Sequence, residues 1–329
     1  MKKIALVGPY HSKTRETLYR MLPEGYEMYD VPTSEDYNKL SEADYIIIRT
    51  IRLEGNDLAE ANRLRFIQKW GAGYDSLDIP GISARDIPVA TCVGINSQPV
   101  AELAVLHMLA VYRHLLAANS RLKENVWAKD EFSSTSYLIN GKIVGLVGLG
   151  NIGRRVAKIV QGFGATVHYY DMFRIPEAQE QALGITYRPL DALLSTSDIV
   201  SLHVPLTEQT INLIDKTRLA MMKPTAILVN TARGGIVNET DLAEALRDGK
   251  LLGAGLDAFS AEPPGVDCPF YTMENAVITP HIGGNTADND VNMIARCFEN
   301  IKKFDSGLPL GRRDVVNAQL LHTKIQLED

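Results

Sequence analysis

One turn constrains this chain more than any other stretch. The apolar run Ile143-Val144-Gly145-Leu146-Val147 leads into Gly148-Leu149-Gly150-Asn151-Ile152-Gly153, and the helical pattern Arg154-Arg155-Val156-Ala157 leaves it. A G-x-G-x-x-G turn carries weight only between a strand and a helix, and both flanks are present. The first glycine permits the tight turn, the second lets a pyrophosphate approach the backbone, and the third lets helix pack against strand. The helix start, with Asn151 and Ile152, offers N–H groups and a positive dipole end to phosphates. The next apolar run, Val167-His168-Tyr169-Tyr170, ends at Asp171, 23 residues after Gly148. An acid at that distance accepts hydrogen bonds from an adenosine ribose and repels a 2′-phosphate, which favours NAD over NADP. Arg174 argues the other way, since it lies within reach of a 2′-phosphate.

The pattern around this turn is a parallel α/β one, with short apolar runs alternating with helical stretches. Strands are expected at residues 4–7, 27–31, 45–49, 66–69 and 88–91, with helices at 13–22 and 56–61. Residues 99–118 are apolar on nearly every face and should form one long buried helix, with Asn96 or Ser97 as cap. A second series has strands at 143–147, 166–170, 199–202, 226–229, 253–256 and 276–278 and helices at 152–163, 189–196 and 240–248. Asn238 or Glu239 should cap the last of these, with Gly249 just past its end. A long helix follows at 287–304, with Val291, Ile294, Phe298 and Ile301 on one face. About twenty-five residues then remain, too few for a third domain. The simplest packing returns them to the N-terminal unit and makes the second series an insertion.

Composition narrows the partners. A chain of 329 residues exceeds a typical single domain, and 45% apolar with 22% charged residues is an ordinary globular balance. The net charge of −6 gives no support to nucleic-acid or basic membrane-surface binding. Cys92, Cys268 and Cys297 are far apart and lack C-x-x-C spacing, so neither a disulfide framework nor a zinc site is suggested, and no metal is expected. The start reaches Pro9 and His11 too soon for a signal peptide. The longest apolar stretch carries Glu102, His107, Arg113 and His114 and is too polar to span a bilayer. The expectation is a soluble, cytoplasmic protein of a reducing compartment.

Three polar groups sit just past apolar runs of the second series. Arg233 follows Leu228-Val229-Asn230-Thr231-Ala232, Glu262 follows Leu256-Asp257-Ala258-Phe259, and His281 follows Ile278-Thr279-Pro280. In open parallel sheets ligands bind outside the carboxyl ends of strands, so all three are expected to face one crevice.

In these segments the chain resembles the D-isomer-specific 2-hydroxyacid dehydrogenase family. The resemblance rests on Gly148 to Gly153, Asp171, His203-Val204-Pro205-Leu206-Thr207, Asn230-Thr231-Ala232-Arg233-Gly234, Asp257 with Glu262, and Thr279-Pro280-His281-Ile282-Gly283-Gly284. Earlier matches are Trp70-Gly71-Ala72-Gly73-Tyr74-Asp75 and Asn96-Ser97 with Val100-Ala101-Glu102. It implies a Rossmann nucleotide-binding domain, residues 98–286, inserted into a flavodoxin-like substrate domain formed by residues 1–97 and 287–329. It also implies that Arg233, Glu262 and His281 are catalytic, and that His203, Pro205, Thr231, Ala232, Asp257 and Gly284 touch the cofactor, NAD. The physical chemistry agrees. A guanidinium fork suits the carboxylate and carbonyl oxygens of a 2-oxoacid, a histidine supplies a proton near neutral pH, and a carboxylate beside it favours its charged form. The Gly71-Ala72-Gly73 turn offers backbone N–H groups to a substrate carboxylate. Arg49 or Arg52 is placed to meet an acidic or phosphorylated substrate side chain, while Tyr10, Trp70 and Tyr74 suit an apolar pocket equally well. The acid at Glu262 argues against formate as substrate, because formate dehydrogenases carry glutamine there. The tail after residue 304 leaves no room for the regulatory domain of many phosphoglycerate dehydrogenases. A homodimer built around helix 99–118 is expected. The competing reading is a corepressor-like module that senses NADH without turnover.

Overall fold

A computed structural model describes residues 1–328 and divides them into two compact units, residues 1–96 with 285–328 and residues 97–284. Ser97 therefore falls in the second unit and Asn285 and Thr286 in the first, one or two residues from the expected boundaries.

The first unit is built on a five-stranded parallel sheet of β1 (Lys2–Val7), β2 (Tyr26–Val31), β3 (Tyr45–Ile48), β4 (Phe66–Lys69) and β5 (Val89–Ala90). Its order is β2-β1-β3-β4-β5, the flavodoxin-like arrangement, with Ala5 opposite Tyr29 on one side and Ile46 on the other. One face packs Leu40, Leu53, Leu58 and Ile82 against Ile46, Ile48 and Ile67. The other is covered by helix Ala287–Asp305, whose Met293, Ile294, Cys297, Phe298 and Ile301 meet Ile4, Leu6, Tyr45, Ile47 and Phe66. Val291, expected on that face, is exposed, because the buried stripe is centred between positions 293 and 294 instead. The expected helix at 56–61 is a single 3-10 turn, Gly55–Leu58.

The second unit carries a seven-stranded sheet, parallel throughout. Its strands are β6 (Ile143–Val147), β7 (Thr166–Tyr170), β8 (Ile185–Tyr187), β9 (Ile199–Leu202), β10 (Ile227–Asn230), β11 (Gly253–Leu256) and β12 (Ala276–Ile278). The order β12-β11-β10-β9-β6-β7-β8 runs outward in both directions from the β6–β9 pair, the doubly wound Rossmann order. The winding direction reverses at that pair, so the carboxyl ends of β6 and β9 flank the topological switch point where ligands bind. Apolar residues cover both faces, Val105, Met108, Val156 and Val160 on one and Leu193, Leu242 and Leu246 on the other.

One expectation for this unit fails. The helix at 99–118 is not continuous. It runs as Ser97–Tyr112 and Leu115–Lys123, bent by 61°. His114 takes a left-handed conformation at φ 47, its Nε2 lies 3.1 Å from the Thr135 carbonyl, and its ring stacks on Phe132. The bend is thus held by residues twenty positions away. Strand β8 was not expected, since three residues at a sheet edge carry little periodicity. Among the described residues no single helix is long and apolar enough to cross a membrane.

Candidate active site

The cofactor end begins where β6 stops. Gly148 turns at φ +100 and donates its N–H to the Tyr170 carbonyl at 2.8 Å. A Cβ there would lie 2.7 Å from the His203 carbonyl oxygen, and a Cβ at Gly153 would collide with the Gly148 carbonyl. Gly150 is different: nothing lies within 4 Å of where its Cβ would stand. The fold needs two of the glycines, while the third leaves room for a ligand. Gly150 is the cap of helix Asn151–Gly162 and supplies no side-chain hydrogen bond to its first turn, so no side-chain cap competes with an anion for those N–H groups. Asp171 stands at the end of β7. One oxygen accepts the Leu149 N–H at 2.8 Å and the other the Phe173 N–H at 3.2 Å, which pins the carboxylate against the glycine turn.

Across the switch point, His203 follows β9 and donates its backbone N–H to Val147 at 2.7 Å. Both ring nitrogens are buried and lack a hydrogen-bond partner among the described residues, as does the Thr231 hydroxyl after β10. Burial pushes the His203 imidazole down to about 4, so the ring is neutral. Buried polar atoms left unpaired are costly unless a ligand completes them. Together with the open space at Gly150, these orphans fit a dinucleotide lying along the carboxyl edge of the sheet. Pro205 is exposed, Ala232 is buried and Gly284 half-buried on the loops beside them.

At the chemical end, Asn230 shapes the turn that carries Arg233. Its Oδ1 accepts the Ala232 N–H at 3.1 Å and its Nδ2 donates to the Arg233 carbonyl at 2.8 Å. Gly234 has no room for a side chain because the Phe259 carbonyl occupies that place, which brings the loop after β10 against the loop after β11. On that second loop Glu262 accepts the Phe259 N–H at 3.1 Å and faces His281, whose Nδ1 lies 2.9 and 2.8 Å from its two oxygens. Burial opposes ionisation of Glu262. The hydrogen bonds from His281 and Phe259 and the nearby charges of His281 and Arg233 outweigh it and hold the carboxyl below its ordinary range. An ionised carboxylate can only accept, so His281 carries its proton on Nδ1, which leaves Nε2 as the ring nitrogen not engaged with Glu262.

His281 itself sits at φ 50, a conformation a non-glycine residue adopts only when its surroundings impose it. Asp257, almost wholly buried, supplies that constraint. It accepts the N–H groups of Ile282 and Gly283 at 2.9 and 2.8 Å and the Thr279 hydroxyl at 2.6 Å. Its carboxylate thus grips both sides of the His281 turn. His107 extends the network, with Nε2 3.1 Å from Thr279 Oγ1. The sequence reading assigned no such roles to Asn230, Thr279 or His107. Asn230 and Thr279 stand beside Arg233 and His281 in the motifs, a usable signal, whereas His107 lies 172 residues from Thr279 and offers none.

In the first unit, Arg49 and Gly8 close the β1 and β3 ends at that sheet's own switch point, the Arg49 carbonyl filling the space where a Gly8 Cβ would be. The Arg49 guanidinium lies 5.9 Å from the ring centres of both Tyr10 and Trp70 and donates to Asn285 Oδ1 at 3.0 Å. Gly71 opens the Gly71-Ala72-Gly73 turn at φ 92, and its carbonyl accepts the Cys92 N–H at 2.8 Å.

Comparison with known proteins agrees with this geometry. Residues 105–283 match the model of the D-isomer specific 2-hydroxyacid dehydrogenase NAD-binding domain. A hydroxypyruvate reductase from Thermotoga maritima is 40% identical over 267 residues, covering 80% of this chain and 85% of that protein. D-3-phosphoglycerate dehydrogenase of Mycobacterium bovis is 41% identical over 248 residues, 75% of this chain, and the match spans only 46% of that longer protein. Among solved structures, the NAD complex of a D-isomer specific 2-hydroxyacid dehydrogenase from Lactobacillus delbrueckii ssp. bulgaricus superposes with a TM-score of 0.80 at 25% identity, covering 96% of this chain and 100% of that one. A doubly wound sheet with a glycine turn built for NAD, matched by the family model over more than half of the sequence, makes this chain a member of the D-isomer-specific 2-hydroxyacid dehydrogenase family.

Proposed function

We propose that the chain is an NAD(H)-dependent oxidoreductase that interconverts a D-2-hydroxyacid and the matching 2-oxoacid. The observation that carries this reading is the His281–Glu262 pair at 2.8 Å, on the same sheet edge as Arg233 and the unpaired His203 and Thr231 atoms. Bound nicotinamide supplies the hydride in reduction and receives it in oxidation. Arg233 holds the substrate carboxylate and polarises the carbonyl, a two-pronged task for a planar guanidinium. Protonated His281 gives its Nε2 proton to the carbonyl oxygen as the carbon is reduced, and Glu262 stabilises the imidazolium and fixes its orientation. In the reverse direction neutral Nε2 takes the hydroxyl proton. Asp257 contributes by holding the His281 turn, and its assignment as a cofactor contact, with Pro205, Ala232 and Gly284, belongs to the same proposal. The unit containing residues 1–96 would recognise the substrate. There the Gly71–Gly73 turn offers N–H groups to a carboxylate, and Arg49 favours a polar or anionic substrate side chain.

The test is NADH oxidation with glyoxylate, pyruvate, hydroxypyruvate and a branched 2-oxoacid. Turnover of at least one supports the reading. Tight NADH binding with no turnover on the panel replaces it with an NADH-sensing module.

A homodimer is part of the proposal. Leu106, Leu115, Leu116, Leu122, Val126 and Trp127, on and just after the broken helix, are about half exposed or more. Apolar side chains clustered along one segment mark an association surface. Sedimentation velocity should give twice the 36.3 kDa chain mass, and a concentration-independent monomer would remove this claim.

A further inference from the structure

Arg174 stands three residues past Asp171, where a guanidinium would meet the 2′-phosphate that distinguishes NADP from NAD. In the structure it is committed elsewhere. Its Nε and Nη2 donate to the two oxygens of Glu180 at 2.8 and 2.9 Å, and its guanidinium lies 5.1 Å from the centre of the Tyr187 ring. Glu180, on helix Glu177–Leu183, is 6% exposed and also accepts the Tyr169 hydroxyl at 2.7 Å. Tyr169 is fixed in turn, fully buried in β7 and accepting the Ile175 N–H at 3.2 Å. The hydrogen bonds from Arg174 and then Tyr169 drive the Glu180 carboxyl down to about 2, so the pair stays ionised at any working pH. Of the two arginines that follow the glycine turn, Arg154 donates its Nε to the Leu149 carbonyl at 3.1 Å and Arg155 its Nη1 to Gln98 Oε1 at 3.1 Å.

A two-pronged arginine–carboxylate pair is the strongest of the ordinary side-chain contacts. Here the carboxylate is anchored from the core while the guanidinium lies at the surface, so the carboxylate decides where the guanidinium goes. We propose that Glu180 is a cofactor-specificity residue: it withdraws Arg174 from the adenosine ribose and so reinforces the exclusion of a 2′-phosphate that Asp171 begins. Selection for NAD then has two parts, a repelling charge beside the ribose and the sequestration of the nearby cation that would attract the phosphate.

The proposal rests on NAD binding at the glycine turn, and the experiment checks the two separately. The full chain is titrated by calorimetry with adenosine 5′-monophosphate, which lacks the 2′-phosphate, and with adenosine 2′,5′-bisphosphate, which carries it. E180Q should bind the bisphosphate about tenfold more tightly than wild type, the scale of one charge-assisted phosphate contact, with monophosphate affinity within about twofold. R174Q alone should leave bisphosphate affinity unchanged, because wild-type Arg174 is not available to it. The double variant R174Q/E180Q should lose the gain. The proposal is overturned if E180Q shows no gain, if R174Q weakens bisphosphate binding, or if the gain survives in the double variant, which would make it the loss of a negative charge alone. Should E180Q lower the melting temperature into the assay range, E180D decides: it keeps the charge but pulls the carboxylate back by one methylene. An intermediate gain upholds the lock and no gain overturns it. Failure of every protein to bind the monophosphate would instead count against the cofactor site itself.

Discussion

The two ends of the seven-stranded sheet's carboxyl edge are built in opposite ways. At the β6–β7 end the geometry comes from missing side chains: Gly148 and Gly153 exist because neighbouring carbonyls occupy the place of a Cβ, and Gly150 leaves open space. At the β10–β12 end it comes from side chains that hold other chain segments in place. Asn230 shapes the Arg233 turn, and Asp257 grips the turn on which His281 sits at positive φ. The phosphate end is a backbone device, while the chemical end adds side-chain pairings, of which those from Asp257 to the His281 turn join residues 25 and 26 positions apart. Binding energy and chemistry are therefore separable by mutation, and four experiments test that separation.

The largest effects belong to the chemical end. H281A should lower kcat/KM for 2-oxoacid reduction by about 10²-fold or more, the usual contribution of a positioned acid. R233K keeps the charge but loses the fork and should also fall by more than about tenfold, or ~1.4 kcal/mol. NADH affinity, read by fluorescence, should survive both. A variant within about twofold of wild type would return that residue to a surface role, and a parallel loss of NADH binding would break the comparison.

The glycine pair comes next. G153A has no room for its methyl and should destabilise by about 1–3 kcal/mol or more, seen as a lower melting temperature. G150A meets open space and should keep the wild-type melting temperature while weakening NADH. Equal melting temperatures for the two variants would show that the turn relaxes and that its glycines are not divided between fold and ligand.

Asp171→Ala should shift the ratio of kcat/KM for NADH over NADPH by about tenfold toward NADPH. An unchanged ratio would leave cofactor choice to other residues.

The smallest effect is a displacement on the pH axis. Glu262 is held below its ordinary carboxyl range, so near neutral pH it is ionised and faces His281 with a full negative charge. Reduction requires the protonated pair, so it runs at its plateau at lower pH and declines as pH rises; oxidation shows the reverse. E262Q removes the charge that favours the protonated pair and should move both kcat/KM profiles toward lower pH. The profile belongs to the pair and not to one residue. Coincident profiles for the two proteins would mean that Glu262 positions His281 without tuning it.

What the sequence discloses divides along the same line. The strands of both sheets, the glycine turn and Asp171 follow from patterns a few residues wide, and most expected strand ends lie within one or two residues of those observed. Arg233, Glu262 and His281 stand out because each follows a strand, but their meeting depends on sheet order, which local pattern does not encode. The break at His114 is stabilised by Phe132 and Thr135, so the helical periodicity runs through it unmarked. The Arg174–Glu180 pair stays hidden for a related reason: the two are spaced six residues apart, and Glu180 lies on helix Glu177–Leu183 while Arg174 lies in the segment before it. Cys92 and Cys297, read as unrelated, lie with sulfurs 3.7 Å apart in the first unit because helix Ala287–Asp305 returns to the sheet.

That returning helix orders events during synthesis. The five-stranded sheet is nearly all made by residue 96, yet one of its faces stays bare until Met293, Ile294, Cys297, Phe298 and Ile301 arrive to cover Ile4, Leu6, Tyr45, Ile47 and Phe66. Asp305, at the end of the helix, then ties Lys2, Tyr26 and Tyr45 together. At ribosomal speed the gap is on the order of ten seconds or more. By the end of that interval residues 97–284 have every segment of their own sheet. The part of the chain made first is thus the last to close, and for those seconds it exposes an apolar sheet face, the kind of surface that chaperones hold and that aggregation begins from.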